Sequence, residues 1–122
     1  INDTYNSNPS SAESALSILK SSEAKGRRIA ILGDMLELGE STHQEHIELI
    51  NKALDSADEI FLFGGNLDQA CKNHSDKSNL HCFTNKDALI ERLEKSLKEG
   101  DLVLVKGSRG MRMEDVIIHY SK

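Results

Sequence analysis

Several kinds of residue and segment are scarce in this sequence, and each scarcity excludes a class of protein. The 122 residues include two cysteines, one proline and no tryptophan. Two cysteines are too few for a disulfide framework, so we interpret Cys71 and Cys82 as reduced thiols of a cytosolic protein, not as a disulfide or a metal pair. No apolar run approaches the ~20 residues of a membrane span. The chain begins at Ile1 without a basic or apolar leader, so we expect no signal peptide and favour an excised domain.

Two nucleotide-binding signatures are also missing. The sequence has neither a Gly-x-x-x-x-Gly-Lys-Ser/Thr phosphate loop nor a Gly-x-Gly-x-x-Gly fingerprint, so it lacks its own apparatus for nucleotide phosphates. The net charge is -5 and the basic residues form no long block, which argues against a nucleic-acid surface. The length and the ordinary composition predict one compact domain over residues 1–122.

Short apolar runs alternate with longer helical patterns, which predicts an α/β layered fold. Three continuous apolar runs are typical of strands buried on both faces, namely residues 29–32, 60–63 and 102–105. Shorter strands are predicted at residues 1–4, where the chain enters the domain, and at residues 81–83, on a sheet edge.

Helices are predicted between these strands. Asn8 caps the first helix with Pro9 at its first position, and Gly26 is expected as its left-handed stop. Thr42 and Glu45 fit a capping box that opens the second helix. The remaining helices are predicted over residues 67–72, from a cap at Asn85 to a stop at Gly100, and around Met113, Val116 and Ile117.

Glycines follow the carboxyl ends of the three buried strands, at Gly33, Gly64, Gly65 and Gly107. Ligands of open parallel sheets bind at this edge, and glycine lets the backbone turn sharply and approach a ligand. Tight β-to-α turns without any ligand explain the glycines equally well.

Three polar segments are predicted to meet at this edge: residues 2–9, 33–39 and 106–114. In the first, Asp3 can accept hydrogen bonds from a ribose, and Tyr5 offers a flat face to a purine beside a helix start. The alternative is a local turn in which Asn6 and Asn8 only cap the helix.

The second and third segments carry opposite charges. Asp34 and Glu37 can orient an ammonium group or a neighbouring loop, whereas the alternative is a loop that folds Met35 and its apolar neighbours onto the core. The third segment holds the cations Lys106, Arg109 and Arg112, and Ser108 adds a hydroxyl. A basic surface turn is the alternative there, but cations are unfavourable at a helix N-terminus, so we favour an anion site.

Other candidates for chemistry are weaker. His43 and His46 lack the two-histidine zinc spacing and a third ligand, so we interpret both as surface residues. The serines at positions 7, 10 and 11 have no paired histidine, so no nucleophile is indicated.

At these segments the sequence resembles the Mur ligase family, specifically the members that join D-alanyl-D-alanine to a muramoyl tripeptide. The likeness lies in residues 3–11, 32–39 and 105–114, in order, and covers essentially the whole chain. Asn2 departs from the family, which often has a second acidic residue there, so a paired-acid role for Asp3 is in doubt.

The resemblance implies the last domain of a three-domain cytoplasmic enzyme of cell-wall synthesis, with a Rossmann-like, three-layer fold, a mostly parallel sheet and helices on both faces. It implies ATP and Mg²⁺, held mainly by a central domain, and the substrates UDP-N-acetylmuramoyl-tripeptide and D-alanyl-D-alanine. ATP would phosphorylate the tripeptide carboxylate, and the dipeptide amine would attack the acyl phosphate, giving an amide, ADP and phosphate. The domain alone would be inactive, since closure onto the other domains aligns the amine and excludes water.

Site residues follow from the same resemblance. Nucleotide contacts are implied for four residues of the first segment: Asp3, Tyr5, Asn6 and Asn8. A dipeptide pocket is implied for Asp34, Met35, Glu37, Lys106, Ser108, Arg109 and Arg112. Either arginine would bind the dipeptide carboxylate, with Ser108 helping to place it. No metal ligand is implied in this domain.

Two other classes of protein remain open on the residues alone. A signalling receiver domain has similar length and fold, and a lysine ends its last strand as Lys106 does, but it needs an aspartate where Phe63 runs into Gly64. A non-catalytic α/β binding domain is the second alternative.

Overall fold

A five-stranded sheet forms the centre of the computed structural model, which describes residues 8–107 and 116–121. Its strands are β1 (Arg28–Gly33), β2 (Glu59–Phe63), β3 (Leu80–Phe83), β4 (Leu102–Lys106) and β5 (Val116–His119). The spatial order is β3-β2-β1-β4-β5. The first four strands pair in parallel, and β5 pairs antiparallel with β4.

Within these described residues, four helices cover the two faces of the sheet. They are α1 (Pro9–Ser21), α2 (Thr42–Ser56), α3 (Gly65–Cys71) and α4 (Lys86–Ser96), with short 3-10 turns at Gly39–Ser41 and Lys72–His74. Helices α1, α2 and α3 share one core with alternate residues of the strands, such as Ala30 and Leu62. Helix α4 packs on the opposite face, where Leu89 contacts the cluster around Phe61. The predicted three-layer α/β fold, with a mostly parallel sheet, is therefore confirmed.

The three buried strands and two helix starts are where the sequence predicted them. Asn8 caps α1 by accepting a hydrogen bond from the Ser11 amide at 2.9 Å, and Asn85 caps α4 by accepting one from the Ala88 amide at 3.0 Å. No described helix is long and apolar enough to cross a membrane.

The prediction of a last helix around Met113, Val116 and Ile117 is wrong for its described part. Residues 116–119 form β5, because three consecutive β-branched residues favour an extended chain and β4 offers a free edge. Ile117 packs against the core on the side of α1, and Ile118, on the other face, is exposed. Met113 and the predicted strand at residues 1–4 lie outside the described residues.

Three predicted helix boundaries are also wrong. Helix α4 ends at Ser96, before the predicted stop at Gly100. Helix α1 ends at Ser21, and Gly26 has no left-handed backbone; its amide instead donates to the carbonyl of Gly100. Thr42 opens no capping box, because it is already helical and its hydroxyl donates to the Gly39 carbonyl in the preceding 3-10 turn.

The two cysteines are joined, contrary to the prediction of reduced thiols. Cys71 ends α3 and Cys82 lies in β3, and the fold places α3 beside this edge strand. The separation of 11 residues in sequence did not predict this disulfide, because the two cysteines meet only through the packing of α3 against β3.

Candidate active site

The described parts of the three polar segments meet at the carboxyl edge of the sheet. Lys106 ends β4 opposite Leu32 of β1, so the turn after β4 and the loop after β1 leave the sheet side by side. The described end of the first segment reaches the same edge, where Pro9 and Met35 line one small pocket. The predicted convergence is confirmed for these residues.

Asp34 is buried, and its carboxylate is engaged by a neighbouring helix. It accepts hydrogen bonds from the backbone amides of Asn66 and Leu67, each at 2.9 Å. These amides belong to the first turn of α3, where unpaired N–H groups and the helix dipole favour a negative charge. The carboxylate thus orients a neighbouring segment, which was one of the two roles predicted for it.

The loop after Asp34 alternates between buried and exposed residues. Met35 is only 1% exposed, and Leu38 packs against the core, so the prediction that apolar residues fold inward holds for these two. Leu36 is 41% exposed, and Glu37 is exposed with a left-handed backbone at φ 63°. Glu37 is therefore the carboxylate of this loop that faces solvent.

His46 on α2 is hydrogen-bonded to this loop, and the interpretation of His46 as a surface residue is wrong. The ring is fully buried, and its Nε2 accepts a hydrogen bond from the Met35 amide at 2.9 Å. Its Nδ1 lies 2.6 Å from the Thr42 carbonyl oxygen. The helical spacing to the buried Leu49 and Ile50 was the signal that could have placed His46 inside. His43 is exposed, as predicted.

Lys106 is 4% exposed and is one of the residues that line a groove between α1 and the antiparallel strands β4 and β5. The groove has a volume of about 430 Å³. Its polar lining comes from Ser11, Ser14 and Lys106, and its apolar lining includes Ala15, Ile18 and Ile117. A cationic residue beside apolar side chains suits a small amphiphilic anion.

A second cavity, of about 530 Å³, opens at the opposite edge of the sheet between Lys25, Glu99 and His119. Its glycines need no ligand to explain them, because a Cβ on Gly26 would lie 3.2 Å from the Gly100 carbonyl group. Since the described parts of the three polar segments lie at the other edge, we do not assign the site to this cavity.

Comparison with known proteins identifies the family. A family model described as "Mur ligase, glutamate ligase domain" matches residues 1–109. The chain belongs to the Mur ligase family. Since the receiver alternative also needs an aspartate directly after β2, where Gly64 stands, it is set aside.

Several curated relatives of this Mur ligase domain bear the same name, UDP-N-acetylmuramoyl-tripeptide--D-alanyl-D-alanine ligase. The Bacillus subtilis enzyme is 34% identical over 96% of this chain and 26% of its own length. The Buchnera aphidicola (Acyrthosiphon pisum) enzyme is 38% identical over 96% of this chain and 25% of its own. The chain thus spans about a quarter of the length of these relatives.

Solved structures of similar proteins have the same fold. MurF ligase from Thermotoga maritima in complex with ADP superposes with a TM-score of 0.72 at 26% identity, covering 92% of this chain and 25% of that one. MurF from Acinetobacter baumannii gives a TM-score of 0.70 at 30% identity, covering 90% of this chain and 24% of that one.

Several predicted site residues of this Mur ligase domain stay predictions. Asp3, Tyr5, Asn6, Ser108, Arg109 and Arg112 lie outside the described residues. Asn8 is described, and its side chain serves the start of α1 in a reciprocal capping box with Ser11. Within residues 8–107 and 116–121, no three His, Cys, Asp or Glu side chains form a group that could hold a metal ion.

Proposed function

We propose that this chain is the C-terminal domain of a cytoplasmic, ATP-dependent UDP-N-acetylmuramoyl-tripeptide--D-alanyl-D-alanine ligase. The proposal is supported by curated relatives of that name that align with about 96% of the chain, and by two MurF structures with the same fold. The ADP in the Thermotoga maritima complex supports a nucleotide as one ligand of the enzyme.

The observation that carries the proposal is the position of Lys106 beside the loop after β1. D-Alanyl-D-alanine has a carboxylate at one end, an ammonium group at the other and two methyl side chains. The positive charge of Lys106 and the apolar wall of its groove suit the carboxylate end and the methyl groups. Ser108, Arg109 and Arg112, which follow Lys106 in sequence, are proposed to complete this carboxylate pocket.

The amine end of the dipeptide is assigned to the loop after β1. Because Asp34 already accepts two amides of α3, we assign the ammonium contact to the exposed Glu37, with Met35 fixing the loop beneath it. From the sequence alone, Asp34 and Glu37 were equivalent candidates for the dipeptide pocket. We now propose that only Glu37 contacts the ammonium group.

The nucleotide is assigned to the entry of α1, where Asp3, Tyr5, Asn6 and Asn8 would contact its ribose and base. Its phosphates and Mg²⁺ would be held mainly by a central domain, because the sequence has no phosphate loop and the described residues offer no metal-binding group. When bound, ATP would supply the phosphoryl group that activates the tripeptide carboxylate. This domain would place the dipeptide amine against the activated carbonyl and keep water out.

The test compares the full-length ligase with this chain alone. Each is given ATP, Mg²⁺, UDP-N-acetylmuramoyl-tripeptide and D-alanyl-D-alanine, and the amide product is measured by mass spectrometry. We expect product from the full-length enzyme, none from residues 1–122, and recovery when this chain is mixed with the remaining domains. A full-length enzyme that prefers a single amino acid to the dipeptide, or ATP turnover by this chain alone, would refute the proposal.

A further inference from the structure

The loop after β1 carries the proposed contact to the dipeptide amine, so what fixes this loop matters for binding. Its first residue is tied to the sheet and to α3: the Asp34 amide donates to the Phe63 carbonyl at 3.0 Å, and the carboxylate accepts two amides of α3. The next residue, Met35, buries its side chain and directs its amide at His46. The exposed pair Leu36 and Glu37 follows directly.

The hydrogen-bond partners of His46 indicate which of its two ring nitrogens carries the proton. A backbone amide can only donate, so Nε2 must be the unprotonated acceptor for Met35. A carbonyl oxygen can only accept, so Nδ1 must carry the proton that it donates to Thr42. Both ring nitrogens are therefore used, one within α2 and one across to the loop, and the ring is closed to solvent. Without the Nε2 acceptor, the Met35 amide would be buried with no partner and the loop would favour other conformations.

We propose that His46 is a positioning residue that sets the place of Leu36 and Glu37 for the incoming dipeptide. This assignment depends on the proposed function for its effect on substrate, but not for its effect on the loop. His46 has no contact with the dipeptide in this proposal and acts only through Met35. Without that hydrogen bond, the side chains of Asp34, Met35 and Leu38 would still anchor the loop, but the backbone between Met35 and the left-handed Glu37 would lose its bond to α2.

The test uses three variants of the full-length ligase. His46→Leu removes the acceptor while keeping an apolar side chain of similar bulk, and His46→Gln restores an acceptor oxygen near the position of Nε2. His43→Leu is the matched control, because His43 is exposed on the same helix. Two quantities are measured: the rate of amide hydrogen exchange in a peptide covering residues 35–38, and KM and kcat for D-alanyl-D-alanine.

In His46→Leu we expect exchange in this peptide to accelerate at least about tenfold. The dipeptide KM should rise about tenfold, because the binding-competent loop becomes a minor state. We expect the KM for ATP and the value of kcat to change less than twofold. His46→Gln should recover most of both losses, and His43→Leu should resemble the wild type.

The outcomes separate the two proposals. Wild-type enzyme that does not ligate the dipeptide would refute the proposed function, and the exchange data would still decide whether His46 fixes the loop. If His46→Leu lowers Tm but leaves exchange at residues 35–38 and the dipeptide KM unchanged, His46 only stabilises the core and the inference is wrong. The same conclusion follows if His46→Gln recovers neither quantity while folding like the wild type.

Discussion

The carboxylate of Asp34 occupies the space that a side chain at position 64 would need. A Cβ built on Gly64 would lie 2.2 Å from Cγ of Asp34, and Gly64 has a φ of 130° that L side chains rarely adopt. The glycine therefore lets the Asp34 carboxylate reach the amides at the start of α3. The glycines after β2 were predicted to mark either a ligand site or a tight turn, and at Gly64 the close neighbour is a side chain of the protein itself.

Gly64→Ala is expected to lower the free energy of unfolding by more than about 2 kcal/mol, because it combines a strained backbone with a clash at Asp34. Gly65→Ala is the matched control: a Cβ there meets nothing within 4 Å, and Gly65 opens α3. We expect that variant to stay within about 0.5 kcal/mol of the wild type or to be more stable. Urea unfolding followed by circular dichroism measures both, and equal losses would contradict the contact.

How far the fold could be predicted depended on how local each signal was. The cap at Asn8 and the cap at Asn85 both act within three residues, and the sequence predicted both correctly. The three central strands were equally clear because burial on both faces leaves continuous apolar runs. The strand at residues 116–119 was missed because four residues with no alternation carry no clear period, and its partner β4 lies ten residues away in sequence.

The candidate site could be placed from the sequence, but the roles of its residues could not all be assigned. The edge of the sheet followed from the strand ends, and Lys106 lies there. The engagement of Asp34 by α3 and of Met35 by His46 joins residues 11 to 33 positions apart, so no local pattern reports it. Tertiary contacts therefore bury the carboxylate of Asp34, which has a structural role, and leave the carboxylate of Glu37 exposed.

Acid should weaken the fold through Asp101. Burial raises the pKa of Asp101, but hydrogen bonds from Arg27 and from the Lys98 amide outweigh burial and hold that pKa below its usual value. A lowered pKa in the folded state means that the stabilisation is complete above the ordinary aspartate pKa of ~4 and is lost as the pH falls below it. Asp101→Asn should therefore lower stability at pH 7 by about 1–3 kcal/mol and flatten the acid limb of the stability curve.

Asp55 provides the matched control for Asp101. Its pKa is also lowered, first by a hydrogen bond from Lys20 at 2.8 Å, but both side chains are exposed. Solvent screens such a pair, so Asp55→Asn should have the same urea midpoint as the wild type at pH 7, and again at pH 3. If Asp101→Asn and Asp55→Asn lost stability equally as the pH falls, the pair formed by the half-buried Arg27 and the buried Asp101 would not be the source of the pH dependence.

Because Cys71 and Cys82 form a disulfide, the number of thiols that can be alkylated should depend on whether the protein has been reduced. Alkylation of the unfolded chain should add no label to air-oxidised protein and two labels after reduction. Reduction should lower the free energy of unfolding by about 3 kcal/mol, since the disulfide closes a loop of a dozen or so residues. In Cys71→Ser/Cys82→Ser, reductant should have no effect. Two labels without reductant would support the thiols predicted from the sequence.

The arginine pair remains the sharpest prediction from the sequence. In the full-length ligase, replacing Arg109 and Arg112 together by Gln should raise the KM for D-alanyl-D-alanine at least about tenfold, because each guanidinium can give a carboxylate two charge-assisted hydrogen bonds. The KM for the UDP-linked tripeptide should change little. Arg92→Gln is the control, since Arg92 is exposed on α4, which packs on the face of the sheet opposite α1.

A dipeptide that ends in a primary amide in place of the carboxylate sharpens the same experiment. The wild type should prefer D-alanyl-D-alanine to this analogue by at least about tenfold, since the analogue cannot accept charge-assisted hydrogen bonds. In the Arg109→Gln/Arg112→Gln enzyme the preference should shrink towards the part supplied by Lys106 at the edge of the groove. If the double variant keeps the full preference, the carboxylate contact belongs to another residue; if the preference shrinks, the single variants Arg109→Gln and Arg112→Gln show which guanidinium makes the contact.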